Sequence, residues 1–204
     1  MPAPTRARLL RTATAVAVAA LVLTGCTTQG DDLAQQYGDG TTENYISGNG
    51  TVTEIEPADR ADVIDFTGET DTGETLSRSD HDGEVVVLNF WYAGCPPCRA
   101  EAPALEEVAE AYADEGVQFI GVNVRDQAAT SQAFARTFDV SYPSIVDTGS
   151  GTVQLALAGT IAPNSVPTTI VLDKQGRVAA RILGGLDGAS ILRTLVGDAL
   201  AEQA

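Results

Sequence analysis

Val85-Val86-Val87-Leu88-Asn89-Phe90-Trp91 is an almost unbroken apolar run. Such a run suits a strand buried on both faces of a sheet. After it, Leu105, Val108, Ala109 and Tyr112 recur at i, i+3, i+4 and i+7, which predicts a helix over about Pro97 to Glu115 that Gly116 ends. Val117 to Val124 reads as a second buried strand, and residues 128–139 as a helix with Phe134 and Phe138 one turn apart. A short segment over Val153 to Leu157 follows. Thr168 to Leu172 and Arg177 to Leu183 are two strands joined by the turn Asp173-Lys174-Gln175-Gly176. Asp187 to Ala201 closes the pattern as a helix presenting Ile191, Leu192, Leu195 and Ala199. Upstream, Asp62 to Thr67 and Glu74 to Ser77 look like short strands of a hairpin around a Thr/Gly/Asp turn. The order β-α-β-α-β-β-α predicts an α/β fold, a mixed sheet with helices on both faces.

The first fifty residues follow other rules. Arg6, Arg8 and Arg11 precede an apolar stretch from Ala13 to Leu23 that is too short to cross a bilayer comfortably. Leu23-Thr24-Gly25-Cys26 follows and resembles a bacterial lipobox, which implies cleavage before Cys26 and a lipid on its thiol. Residues 1–25 are therefore expected to be a lipoprotein signal peptide. Residues 26–51, rich in Gly, Thr, Asp and Asn, are expected to be a flexible linker, and residues 52–204 one folded domain. On this reading the domain lies outside the cytoplasm, anchored to the membrane by lipid.

Charge narrows the partners. With 12 basic and 28 acidic residues the chain has a formal charge of −16, and loss of the leader makes the remainder more acidic still. Nucleic acid is excluded as a partner, for lack of a basic face.

Of three cysteines, a lipidated Cys26 leaves Cys95 and Cys98 as one pair. They stand in Gly94-Cys95-Pro96-Pro97-Cys98-Arg99, at the junction of the first long strand and its helix. There the unpaired N–H groups and the helix dipole favour an anion, so the Cys95 thiolate is stabilised. Pro97 suits a first helical turn, where an N–H is not needed. Cys95 is expected to be exposed and to attack a partner's disulfide, and Cys98, one turn deeper, to resolve the mixed disulfide. Other uses of the pair fit less well. Zinc needs four Cys or His ligands and the domain offers two Cys and His81, in a solvated Asp80-His81-Asp82-Gly83 turn, so no metal is expected. A peroxidase lacks the activating Thr three residues before Cys95, where Tyr92 stands. An inert structural disulfide stays open at this point.

These residues, with Ser165-Val166-Pro167-Thr168-Thr169 leading into a later strand, resemble the thioredoxin superfamily. The segments Val87-Leu88-Asn89-Phe90-Trp91, Cys98-Arg99-Ala100-Glu101-Ala102-Pro103, Gly121-Val122-Asn123-Val124 and Tyr142-Pro143-Ser144-Ile145-Val146-Asp147 are similar to the TlpA/ResA-like subgroup of extracytoplasmic thiol–disulfide oxidoreductases. The resemblance implies a thioredoxin-like fold with an N-terminal β-hairpin extension and a cis Val166–Pro167 bond opposite the dithiol. It further implies a partner-binding rim of Trp91, Val166 and Pro167, and a Glu101 that relays a proton to or from Cys98. The redox disulfide is the only cofactor implied. The role implied is reduction of apocytochrome c thiols for haem attachment, with electrons from a membrane thiol carrier of the CcdA/DsbD type. Two alternatives remain: an oxidase of exported proteins, and a redox-regulated binding module without turnover. Gly94 and Tyr92 depart from many relatives, which carry a second Trp just before the first Cys.

Overall fold

The computed structural model describes residues 51–159 and 165–202. The lipobox with Cys26, and nearly all of the linker, lie outside the described residues.

A six-stranded sheet forms the centre. Its strands are β1 (Thr51–Glu54), β4 (Val85–Trp91), β5 (Val117–Asn123), β6 (Ser144–Val146), β7 (Thr168–Leu172) and β8 (Val178–Leu183), in the spatial order β1-β8-β7-β4-β5-β6. The pairs β4–β5 and β5–β6 are parallel, and β4–β7, β7–β8 and β1–β8 are antiparallel. Parallel neighbours require a crossover, and the helices α1 (Pro96–Ala111) and α2 (Ala128–Phe138) supply them. A short α3 (Thr152–Ala156) and a C-terminal α4 (Ser190–Ala201) complete the set. A separate two-stranded ribbon pairs β2 (Thr67–Glu69) with β3 (Thr75–Ser77).

Alternation along β4 divides the core into two layers. Val85 and Val87 pack with Leu105 and Val108 of α1 and with Leu192, Leu195 and Val196 of α4. Val86, Leu88 and Phe90 pack on the other face with Phe134 of α2, and with Val153 and Leu157. Every residue of β4 is buried, as its apolar run demands. The mixed sheet between two helical layers is the thioredoxin-like architecture expected from the sequence.

Some boundaries and elements differ from expectation. The first ribbon strand starts at Thr67 rather than Asp62, and the segment before it is stitched to β8 and its turn by Ile55 N–H to the Ala179 carbonyl and Ile64 N–H to the Gly176 carbonyl, both 2.8 Å. Helix α1 stops at Ala111; Gly116, at φ +76°, turns the chain into β5. Two strands escape the sequence pattern, the edge strand β1 and the three-residue β6. Ser144 opens β6, buried against Gly121 of β5, where a Cβ would lie 2.2 Å from the Ser144 hydroxyl. No helix among the described residues is long and apolar enough to cross a membrane.

Candidate active site

The sharp exit from β4 places Cys95 at the N-cap of α1, with Pro96 and Pro97 in its first turn. The Cys95 sulfur accepts the Cys98 N–H at 3.2 Å, so the helix start donates directly to the atom expected to become a thiolate. Cys95 and Cys98 are joined by a disulfide, with their Cα atoms 5.3 Å apart. The Val166–Pro167 bond, at the entry to β7, is cis.

Exposure is the exception. Cys95 is 0% and Cys98 2% exposed, against the expectation of an accessible Cys95. Both sulfurs belong to one buried cluster that also holds Trp91, Tyr92 and Val166. A partner therefore reaches the sulfur only after a local shift.

Glu101 lies one helical turn beyond Cys98 and is 1% exposed. Its Oε1 accepts from the Asn89 amide at 2.9 Å and its Oε2 from the Leu186 N–H at 3.0 Å. Asn89 also donates to the Thr169 hydroxyl at 3.2 Å, so β4 and the loop before α4 meet on one carboxyl and β7 braces the amide that holds it. Burial pushes Glu101 up to about 7, against the pull of the two hydrogen bonds. A carboxyl poised near neutrality beside a dithiol can both give and take a proton. A cavity of about 10 Å³, lined by Asn89, Trp91, Cys98 and Tyr142 among others, leaves space for a single water at most.

The loop between β4 and Cys95 is braced by residues that sequence reading did not single out as site residues. The Ala93 N–H donates to Asp126 Oδ2 at 2.6 Å, and the Asn123 amide holds the same oxygen at 2.9 Å. Asn123 Oδ1 in turn accepts the N–H groups of Arg125 and Asp126. The Arg125 guanidinium sits over the Tyr92 ring, 4.4 Å from its centroid. On the other side Trp91 packs on Phe134 at 4.2 Å, and Phe134 on Phe138 at 4.4 Å. The available signal was a polar residue late in each of two adjacent buried strands, Asn89 in β4 and Asn123 in β5.

A disulfide closed across the first turn of a helix, on a thioredoxin-type sheet with a cis-proline, defines a thiol–disulfide oxidoreductase. Comparison with known proteins agrees. The profile of the AhpC/TSA family matches residues 60–181. The thiol-disulfide oxidoreductase ResA of Halalkalibacterium halodurans is 32% identical over 124 residues, 61% of this chain and 68% of that protein. A DsbF homologue from Corynebacterium diphtheriae superposes with a TM-score of 0.63 at 33% identity, covering 72% of this chain and 92% of that one. A secreted thiol-disulfide isomerase from Corynebacterium glutamicum gives 0.66 at 28% identity, over 76% of this chain and all of that one. The chain belongs to the AhpC/TSA family and is a ResA-like thiol–disulfide oxidoreductase.

Proposed function

We propose that the protein is a lipid-anchored extracytoplasmic disulfide reductase that keeps apocytochrome c Cys-x-x-Cys-His thiols reduced for haem attachment. The observation that carries the reductase chemistry is the Cys95–Cys98 disulfide at the α1 N-terminus, with the buried Glu101 carboxyl one turn beyond. The lipobox-like Leu23 to Cys26 supports the anchor, and the resemblance to the TlpA/ResA-like subgroup supports the substrate and a CcdA/DsbD-type electron donor.

In the reduced protein, the Cys95 thiolate attacks one sulfur of the partner's disulfide and the partner's other sulfur leaves as a thiolate. Cys98 gives up its proton and attacks Cys95, closing the Cys95–Cys98 bond and releasing the partner's second thiol. Two electrons pass to the partner. Glu101 accepts the Cys98 proton and returns it when the donor reduces the pair again. Trp91, Val166 and Pro167 frame the partner segment. No cofactor beyond the dithiol enters this scheme.

Direction is tested by the equilibrium potential of the pair against dithiothreitol or glutathione. A value near thioredoxin's roughly −270 mV fits the reductase; a value near DsbA's roughly −120 mV makes the protein an oxidase instead.

The role of Glu101 has its own test. Its carboxyl titrates near pH 7 in the fold rather than in the ordinary carboxylate range. Exchange rate against pH should therefore show an inflection near 7 that Glu101→Gln lacks. Stability moves with the opposite sense. Because the folded value is raised, the contribution is fully present below the unfolded value of about 4.3 and is lost as pH rises through about 7. Between pH 4 and pH 8 the wild type should lose about 3 kcal/mol relative to Glu101→Gln, at about 1.4 kcal/mol per unit. Parallel denaturation curves would show that Glu101 titrates normally and is not the proton carrier.

A further inference from the structure

After β8 the chain runs Gly184-Gly185-Leu186-Asp187-Gly188 before α4 begins at Ser190. Two N–H groups of this loop are committed to the active site. The Gly184 N–H donates to the Pro167 carbonyl at 2.9 Å, which carries the β7–β8 ladder one step past the Thr168–Leu183 pair. The Leu186 N–H donates to Glu101 Oε2 at 3.0 Å. Between them, a Cβ on Gly185 would lie 3.4 Å from Pro97 Cβ and 3.9 Å from Glu101 Oε2, so the loop backbone packs straight onto α1 and the carboxyl. The Leu186 side chain packs against the core layer that α1 and α4 share, which anchors the loop there.

The course of the loop depends on glycine. Gly184 is buried at φ +92°, a conformation costly for any residue with a side chain. It turns the chain off β8 while its N–H still faces Pro167, and two residues later Leu186 presents its own N–H to the carboxyl. Glu101 has two hydrogen-bond donors among the described residues, Asn89 and Leu186, and at 1% exposure bulk water replaces neither. Both favour the charged carboxylate against the burial that disfavours it. The charged and titratable groups nearby are otherwise engaged. Cys98 is tied up in the disulfide, and Tyr142, before β6, is pushed up by its burial and then by Glu101 and Glu106. Glu106 is turned to the Ser141 N–H at 2.9 Å, Arg193 of α4 pairs with Glu107 at 2.7 Å, Arg99 lies over the Phe138 ring, and Asp187 is exposed.

We propose that Gly184 and Leu186 are positioning residues for Glu101: Gly184 ties the loop to the Pro167 carbonyl, and that tie presents the Leu186 N–H to the carboxyl beside Cys98. The inference rests on the reading of Glu101 as the proton carrier and adds the part of the chain that keeps it ready. In the exchange, the Cys98 thiol gives its proton to the Glu101 carboxylate. The Leu186 N–H stabilises the negative charge before that transfer and holds the neutral acid less strongly after it. Without this N–H the carboxyl keeps its proton to higher pH, and is already protonated when Cys98 has to give up its own. One three-residue stretch thus touches both the proline that frames the partner and the carboxyl that serves the resolving cysteine.

The test reads the carboxyl in the whole oxidised protein, where neither cysteine titrates. Carboxyl carbon resonances of the glutamates are followed by NMR against pH, with Glu101 identified by its absence in Glu101→Gln. The wild-type midpoint should fall near 7. Replacing Leu186 by its α-hydroxy acid turns that one N–H into an ester oxygen and keeps the side chain in its layer. The midpoint should rise by about one pH unit, and exchange by the reduced protein at pH 7 should slow about fivefold. Gly184→Ala should move the midpoint the same way. Gly188→Ala strains the same loop at φ +99°, with nothing within 4 Å of its Cβ, and should lower the melting temperature as Gly184→Ala does yet leave the midpoint alone. A midpoint unmoved by the ester overturns the proposal. A midpoint moved equally by Gly184→Ala and Gly188→Ala overturns the part given to Gly184, since any loosening of the loop would then suffice. A midpoint that moves while the exchange profile against pH stays put upholds the placement and strikes the reading of Glu101 as proton carrier.

Discussion

Cys98→Ser should accumulate a mixed disulfide with its substrate, and Cys95→Ser should accumulate none. Both variants should lose turnover by on the order of a thousandfold or more, because neither can complete a two-sulfur exchange. The difference between them is the informative part. Cys95 caps α1 and its sulfur already accepts the Cys98 N–H, so the helix start stabilises negative charge on that sulfur. Cys98 lies inside the first turns, beside the buried Glu101. Mass spectrometry under non-reducing conditions should find the covalent adduct on Cys95 alone. An adduct on Cys98 in the Cys95→Ser protein, formed equally fast, would reverse the two roles. Folding should survive both changes. The disulfide closes so few residues that its loss costs about 2 kcal/mol by the chain-entropy estimate.

The burial of the pair adds a kinetic expectation to the same chemistry. Since both sulfurs are buried in the oxidised form, attack on it has to begin with a local shift. The loop before Cys95 is held by Asp126 through the Ala93 N–H, by Arg125 stacked on Tyr92, and by the Cys95 N–H donating to the Tyr92 carbonyl at 3.1 Å.

Much of this was legible in the sequence, and the reasons for what was not are physical. The run from Val85 to Trp91 could only be a central strand, and the dithiol after it could only sit at a helix start. Both readings depend on residues next to one another in the chain. The three-residue β6 was invisible because its first residue is a serine, admitted to the interior by the missing side chain of Gly121 on the neighbouring strand. Burial of Glu101 was invisible for a similar reason. Its spacing from Cys98 is local, but the N–H that holds Oε2 comes from Leu186, on a loop far along the chain. Exposure of Cys95 was misjudged because helix-end electrostatics say where a thiolate is favoured and nothing about what packs over it. Asp126 shows the same limit, since only the fold brings it to the Ala93 N–H.

Arg60→Ala should be the most destabilising substitution outside the two core layers, by about 3 kcal/mol in chemical denaturation. Its guanidinium sits where three distant parts of the chain meet. It donates to the Ile55 carbonyl at 2.9 Å, to Asp173 in the β7–β8 turn at 2.9 Å, and to Glu202 just past α4 at 2.6 Å. Asp173 is 1% exposed, so removing the arginine leaves a buried carboxylate short of a charge partner. Arg177 still pairs with Asp173, also at 2.9 Å, which is why the loss stays at the lower end of the range for a broken buried pair. Burial alone would raise Asp173, but the Arg177 N–H, Arg60 and the Arg177 side chain together hold it below the ordinary carboxylate value. A lowered folded value gives stability that is present above the unfolded value of about 3.9 and lost as pH falls toward the folded one. In Arg60→Ala the hold on Asp173 is weaker, so acid unfolding should begin at higher pH than in the wild type. Asp173→Asn should flatten the difference between the two acid limbs, because the titrating group is then gone. A wild-type acid limb unchanged by Arg60→Ala would mean that Arg177 alone sets the charge of Asp173 and that Arg60 serves only to tether Glu202.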